Sequence, residues 1–423
     1  MTVFEVINNI LKIVGDAVAA FIISILGAGG LADFVIMLLA ALIICSICAV
    51  AFMGLTYAER KIVARIQDRI GPNQAGPYGL LQPIADGIKM FTKEDTTPAE
   101  ADRWVYNLAP LVIAVFALLT YAVIPFAPGV VGTNLNIGVF YVIAVGSGST
   151  VAILMAGWGS NNKYSLLGAF RTVAQLVGYE VPMLLNVLPV VMLAGSMSLV
   201  DIVERQTLSN GGNGIPFILM APLSALIFLI SGIAETGRSP FDLLEAESEI
   251  VAGFHVEYSG MKFALFFLGE YVNALAVSIM FTVLFLGGYA GPILPPYVWL
   301  LLKVAAVFTL LMWLRGTLPR VRVDQLMSFN WKFLVPMSIV NVILVMVIGK
   351  VFVADAVLAQ SNGGIAVPPI VQALILFTSS IALLLASLLL VARQARQLRL
   401  VEAEDIEKRV AQNKVAAAKV VAQ

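Results

Sequence analysis

ETGRSPFDLLEAESEIVAGFHVEYSGMKFALFFLGEYVN, residues Glu235 to Asn273, breaks into a chain built otherwise of long apolar runs. Glu235, Asp242, Glu245, Glu247, Glu249, Glu257 and Glu270 all fall within it, and it passes directly from one apolar run into the next. Carboxylates this close disfavour one another's ionised forms, and burial pushes the same way. Some of them are therefore expected to take up and release protons near neutral pH.

The surroundings of this stretch set the class. The chain is 60% hydrophobic and 12% charged, with mean hydropathy +0.94, whereas a soluble domain carries about 25% charged residues. Uncharged runs of about 20 residues predict spanning helices, not barrel strands of ~10 alternating residues. The fold class is all-α, a polytopic helical bundle in a membrane. Cys45 and Cys48 share one apolar run and His255 is the only histidine, too few ligands for an iron–sulfur cluster, which takes about four thiolates, or for haem. No metal or redox cofactor is expected on this chain.

Outward from the central stretch, the apolar runs place nine spans at about 34–56, 105–126, 138–158, 168–195, 215–235, 263–288, 297–314, 333–353 and 367–391. Residues 1–30 read as an interfacial helix and not a cleaved signal peptide, because the basic start is missing and Glu5 is present. The first polar loop, from Tyr57, is expected to lie along the interface as amphipathic helices joined at Gly71 and Gly76. Domain organisation follows as an N-terminal helix (1–30), an eight-helix core with its loops (31–353), an additional span (354–391) and a helical tail (392–423).

Lys and Arg number 7 in residues 57–103, 2 in 158–171, 2 in 235–262, 4 in 315–332 and 7 in 392–423. Such sidedness predicts that every charged loop and the tail face the cytoplasm of a bacterial plasma membrane. The tail is expected either to anchor at lipid headgroups through Arg393, Arg396 and Arg399 or to dock on a soluble partner.

Helical geometry sharpens the central loop. With Pro240 in a first turn, Asp242, Glu245 and Glu249 share a face and Glu247 points elsewhere. Glu180 and Glu270 lie deeper, inside predicted spans. A charge near the middle of a spanning helix costs on the order of 2.5–3.5 kcal/mol, so such acids are rare unless they line a wet path or relay protons. His255, alone and without a metal-binding companion, reads as a hydrogen-bonded structural residue.

Four segments carry a family resemblance: AERKIVARIQDRIGPNQAGPYGLLQPIADGIKMFTKE (58–94), YSLLGAFRTVAQLVGYEVPM (164–183), the central stretch, and WLRGTLPRVRVDQLMSFNWKFLVP (313–336). In order and on one predicted side, they resemble the cytoplasmic loops and adjoining helices of the H/ND1 subunit of respiratory complex I, over about residues 31–353. Energy-converting membrane-bound hydrogenases have a related subunit. A stand-alone proton-coupled transporter using Glu180 and Glu270 is a third reading, but it predicts internal repeats that the dissimilar loops do not show.

The resemblance implies a subunit of a proton-translocating NADH:quinone oxidoreductase that forms the quinone entrance channel and an acidic relay coupling quinone reduction to pumping. It implies channel positions at Glu59, Arg60, Gln67, Arg69, Asp86, Arg238, Phe267, Arg315, Arg320, Arg322 and Asp324, and a relay through Glu180, Glu235, Asp242, Glu245, Glu247, Glu257 and Glu270. Quinone would be the substrate. Iron–sulfur clusters and FMN would sit in partners: hydrophilic-arm subunits, with small membrane subunits and antiporter-like subunits beside the chain in the lipid bilayer and no nucleic acid. Basic residues at helix ends also snorkel to phosphates, which remains a competing reading for the arginines. Three positions depart from the family pattern: Gly178 replaces a serine, Gly237 stands where a polar residue is common, and Val323 replaces a tyrosine.

Overall fold

The computed structural model describes residues 16–18, 20–25, 29–207, 214–242, 253–292, 294–353 and 365–393. Within them the chain is a helical bundle with eight helices long and apolar enough to cross a membrane. The strands among the described residues are one two-residue parallel pair, Phe352–Val353 with Ile365–Ala366. Most of the N-terminal segment, Glu245, Glu247 and Glu249 of the central loop, and the tail beyond Arg393 lie outside the described residues.

Helix α1 (Gly30–Ile66) runs unbroken for 37 residues, about 55 Å at 1.5 Å per residue. The polar residues after Tyr57 therefore continue the first span and do not form a separate interfacial helix, because no glycine or proline interrupts the chain between Tyr57 and Gly71. Amphipathic α2 (Gln82–Thr92) follows, its Ile84, Ile88 and Phe91 exposed.

α3 (Arg103–Leu119), α4 (Gly138–Gly159) and α5 (Lys163–Ala194) pack in sequence. Asp102 and Asn162 cap the starts of α3 and α5 by accepting from Trp104 N and Tyr164 N. Small residues bring these helices close, as in other membrane bundles: a Cβ on Gly157 would lie 2.3 Å from that of Ala169.

Prolines inside the spans remove helical donors, and side chains from other segments replace them. Pro110 of α3 leaves the Tyr106 carbonyl without its usual partner, and the Tyr258 hydroxyl donates to it at 3.1 Å. Pro182 of α5 does the same to the Gly178 carbonyl, which accepts from Asn330 Nδ2 at 2.6 Å. Gly178 leaves room for this contact, since a Cβ there would come within 3.1 Å of the same nitrogen.

After short α6 (Leu199–Arg205), the expected fifth span is two helices, α7 (Phe217–Met220) and α8 (Pro222–Glu235). The break falls at Ala221, ahead of Pro222, in keeping with the bias of a residue before proline away from helix. α8 has 14 residues, about 21 Å, and is too short by itself for a bilayer of ~30 Å.

α9 (Gly260–Phe285) ends in a glycine turn, and α10 (Pro296–Thr317) supplies its closure. Lys303 of α10 donates to the carbonyls of Leu286, Gly288 and Ala290 at 2.7, 3.0 and 2.6 Å. A cation at a helix C-terminus is favoured by the dipole, which explains how an apolar span accommodates this lysine.

α11 (Val323–Phe329), a π-turn at Asn330–Leu334 and α12 (Val335–Val351) form one span, and α13 (Pro369–Arg393) is the last. In the interior, Asn186 Nδ2 donates to Ser338 Oγ, and Asn341 Nδ2 donates to Asn186 Oδ1 and Ser224 Oγ, joining α5, α12 and α8.

Candidate functional site

The site begins at the turn after α8. Gly237 adopts φ +60, and Gly237 N and Arg238 N donate back to the Ala234 and Ile233 carbonyls, a glycine-terminated helix end. At this φ glycine is the residue without strain. Gln175 of α5 clamps the turn, its amide donating to the Ala234 carbonyl at 2.7 Å and the Phe241 carbonyl at 2.8 Å. The chain is thereby turned inward, and Arg238 is 2% exposed.

Buried Arg238 sits among groups from three helices. Its Nη1 donates to Glu59 Oε1 of α1 at 2.8 Å, and its Nε lies 3.5 Å from Glu270 Oε1 of α9. The guanidinium carbon stands 4.4 Å from the centre of the Tyr271 ring, a favourable cation–π arrangement. Arg315 of α10 reaches the same oxygen of Glu59. One buried carboxylate is thus shared by two guanidinium groups, and burying charge in this way requires such pairing.

Two adjoining cavities lead away from Glu270. The first is lined by Glu270, Phe267, His255, Glu235 and Asn273 among mainly apolar neighbours. The second is lined by Glu235, Asn273 and Glu180, with Thr120, Met183 and Phe228. Glu235, Asn273, Thr120 and Gly146 belong to both walls. Glu270, Glu235 and Glu180, which come from α9, α8 and α5, therefore border two neighbouring cavities, with Glu235 in the lining of both.

The other predicted positions separate from this centre. Arg60 of α1 pairs with half-buried Asp86 of α2, and just past α1 Gln67 accepts from Arg69 Nε at 2.7 Å, both residues exposed. Arg322 and Asp324 are exposed at the start of α11, and Arg320 is half-buried. The strand-like link before α11 is held to the Arg238 turn through Val321 N, which donates to the Pro240 carbonyl at 3.0 Å. Asp242 is half-buried beside that turn. Phe267 joins the wall of the acidic cavity, not the arginine group.

Glu257 also stands apart from the cavities. It accepts from Asn162 Nδ2 at 2.6 Å, and its backbone carbonyl accepts from the Tyr106 hydroxyl. These bonds fix loop 253–259. Ser165 Oγ donates to the Phe254 carbonyl at 2.7 Å, and Gly168 packs so closely on Gly253 that a Cβ would lie 2.7 Å from its backbone. His255, on this loop, packs against Phe254 and Phe263. Burial pushes its pKa down to about 4.

Tyr271, Asn273 and Gln175 are contributors that residue type and spacing did not single out. Asn273 follows Glu270 by three residues and so shares its helix face, a signal present within the opening stretch. Gln175 offered none, because its partners lie some sixty residues away.

A family model described as NADH dehydrogenase matches residues 38–347. A protein of Dehalococcoides mccartyi strain CBDB1, named as the H subunit of NADH-quinone oxidoreductase, is 53% identical over 315 residues, 74% of this chain and 87% of its own. A Syntrophobacter fumaroxidans protein that carries the same name with the number 2 is 48% identical over 322 residues, 74% of this chain and 96% of its own. Its namesake from Geobacter sulfurreducens is 50% identical, covering 69% of this chain and 89% of its own.

Proposed function

This chain belongs to the NADH dehydrogenase family, as a membrane subunit of an enzyme complex, and on that premise we propose that it forms the quinone entrance channel and the acidic relay of a proton-translocating NADH:quinone oxidoreductase. The observation that carries the relay is the shared wall of Glu235 and Asn273 between the two cavities. Through it, Glu270 at the Arg238 centre and Glu180 in the bundle interior lie along one path.

Quinone is the substrate, and its electrons come from an iron–sulfur cluster of a hydrophilic-arm subunit. Reduction changes charge near the Arg238, Glu59 and Arg315 group, whose three side chains come from the turn after α8, from α1 and from α10. Glu270 contacts the same arginine, so any shift of that guanidinium alters the proton affinity of a relay member. Protons then redistribute through Glu235 toward Glu180 and the antiporter-like subunits. The charged loops and tail face the bacterial cytoplasm in this reading, which the concentration of Lys and Arg in those loops supports.

Glu235→Gln and Glu180→Gln test it in the assembled complex in membrane vesicles. Proton uptake per NADH oxidised is expected to collapse in both while the complex still assembles. Undiminished uptake in both would exclude these acids from the coupling path.

A further inference from the structure

Cavity walls tell what a passing proton or water would meet. At the loop end of the first cavity the walls are Phe254, Phe263, Phe266 and Phe267, and His255 is the polar side chain that loop 253–259 contributes there. The ionisable groups facing the same space are Glu235 from α8 and Glu270 from α9, while α3, α4 and α5 contribute apolar groups, Thr120 near the end of α3 and Ser149. An apolar cavity stays dry unless polar partners, about two to four for each water, line it.

From this arrangement we propose that His255 is a positioning residue for the acidic path, its imidazole hydrogen-bonding the water that connects the loop end of the cavity with Glu270 and Glu235. The proposal rests on the relay reading above. Imidazole suits the task because a neutral ring both donates and accepts a hydrogen bond, which a water wire requires of each member. Two rings pack on it. Phe254 stands edge-on to it at 5.2 Å between centroids, and Phe263 is tilted to it at 5.4 Å. The loop itself is tied down by Ser165 and Asn162. Its low proton affinity keeps the ring uncharged at neutral pH, so it holds water without competing with the carboxylates for the proton.

His255→Asn keeps a donor and an acceptor at about the same place; His255→Phe keeps a ring and removes both. In the assembled complex, in membrane vesicles, proton uptake per NADH oxidised is measured for each beside Glu235→Gln, with the amount of assembled complex as the control. His255→Phe is expected to lower the uptake ratio to about half that of the parent or less, because both hydrogen bonds of the ring to water are lost. His255→Asn is expected to keep the parent ratio, with the same pH profile across the neutral range.

An unchanged ratio in His255→Phe would reduce the residue to packing and overturn the proposal. So would an equal loss in His255→Asn, which would make titration or ring shape the requirement. Full uptake in Glu235→Gln removes the relay reading and this role with it, whereas loss in Glu235→Gln with full uptake in His255→Phe removes the role of His255 alone.

Discussion

Asn330 stands in for a missing backbone donor: its side-chain amide reaches the Gly178 carbonyl at 2.6 Å, across from the helix where Pro182 has no N–H to offer. The bond joins α5 to the π-turn between α11 and α12 at one height in the bundle. A glycine at residue 178 suits this bond, since a side chain there would crowd the amide.

Replacing Asn330 by leucine should leave that carbonyl unmet in a dry interior, at a cost of about 1–2 kcal/mol. The check is the midpoint of heat-induced loss of this chain from the detergent-solubilised complex. An equal midpoint for Asn330→Leu and parent would show that the bond contributes nothing.

Arg238 and Glu59 predict an asymmetry between single and double substitution. Arg238→Met leaves Glu59 to Arg315 and takes a partner from Glu270, and is expected to cost roughly 3 kcal/mol, whereas joint replacement of Arg238 and Glu59 by neutral residues of similar volume costs less than the two single changes summed. Arg315 also holds Glu59, so Glu59→Gln should be nearly as damaging as Arg238→Met, because it takes one shared counter-ion from two guanidinium groups at once. Yields of assembled complex for the two single variants and the double variant decide the matter.

Lys303 makes three bonds to the carbonyls that end α9. Lys303→Met removes a charged donor from all of them and should cost on the order of 2–3 kcal/mol. Limited proteolysis in the turn at residues 286–290 is the readout, with faster cleavage expected in the variant.

For His255 the sign of the pH effect follows from its lowered pKa. Burial pushes it down to about 4 from an ordinary value near 6.5. Between these values the unfolded chain binds a proton that the folded chain refuses, so the contribution is full above about pH 6.5 and is lost as pH falls toward 4. His255→Asn should flatten that part of the stability profile, measured as heat-inactivation midpoint against pH.

Spans were legible in the sequence because hydropathy over about 20 residues reports burial in lipid directly. The seven-carboxylate stretch was legible for the same reason, as charge where charge is costly. Helix ends were less so: only the lack of glycine or proline before Gly71 marks the continuation of α1 to Ile66, whereas Ala221 yields to the proline beyond it. The Arg238 centre was visible only as a set of residue types. Glu59 lies 179 residues from Arg238 in the chain, and no period or spacing connects them. His255 was read as structural from its isolation in the sequence, but isolation from metal ligands says nothing about which cavity a ring faces.

α1 is also a lever. Its N-terminal half is bare, with Phe34, Met37, Ile43 and Ile47 exposed, while its C-terminal half packs through buried Cys48 and through Phe52, whose ring meets Tyr271 edge-on. Glu59 lies eleven residues beyond Cys48, about 16 Å along the axis. Pivoting there by about five degrees, within the range by which spanning helices accommodate bilayer thickness, would carry Glu59 more than an ångström. A 2.8 Å bond to Arg238 cannot follow such a displacement. The seat of α1 against α9 and α10 thereby sets whether Glu59 meets Arg238 and Arg315 together.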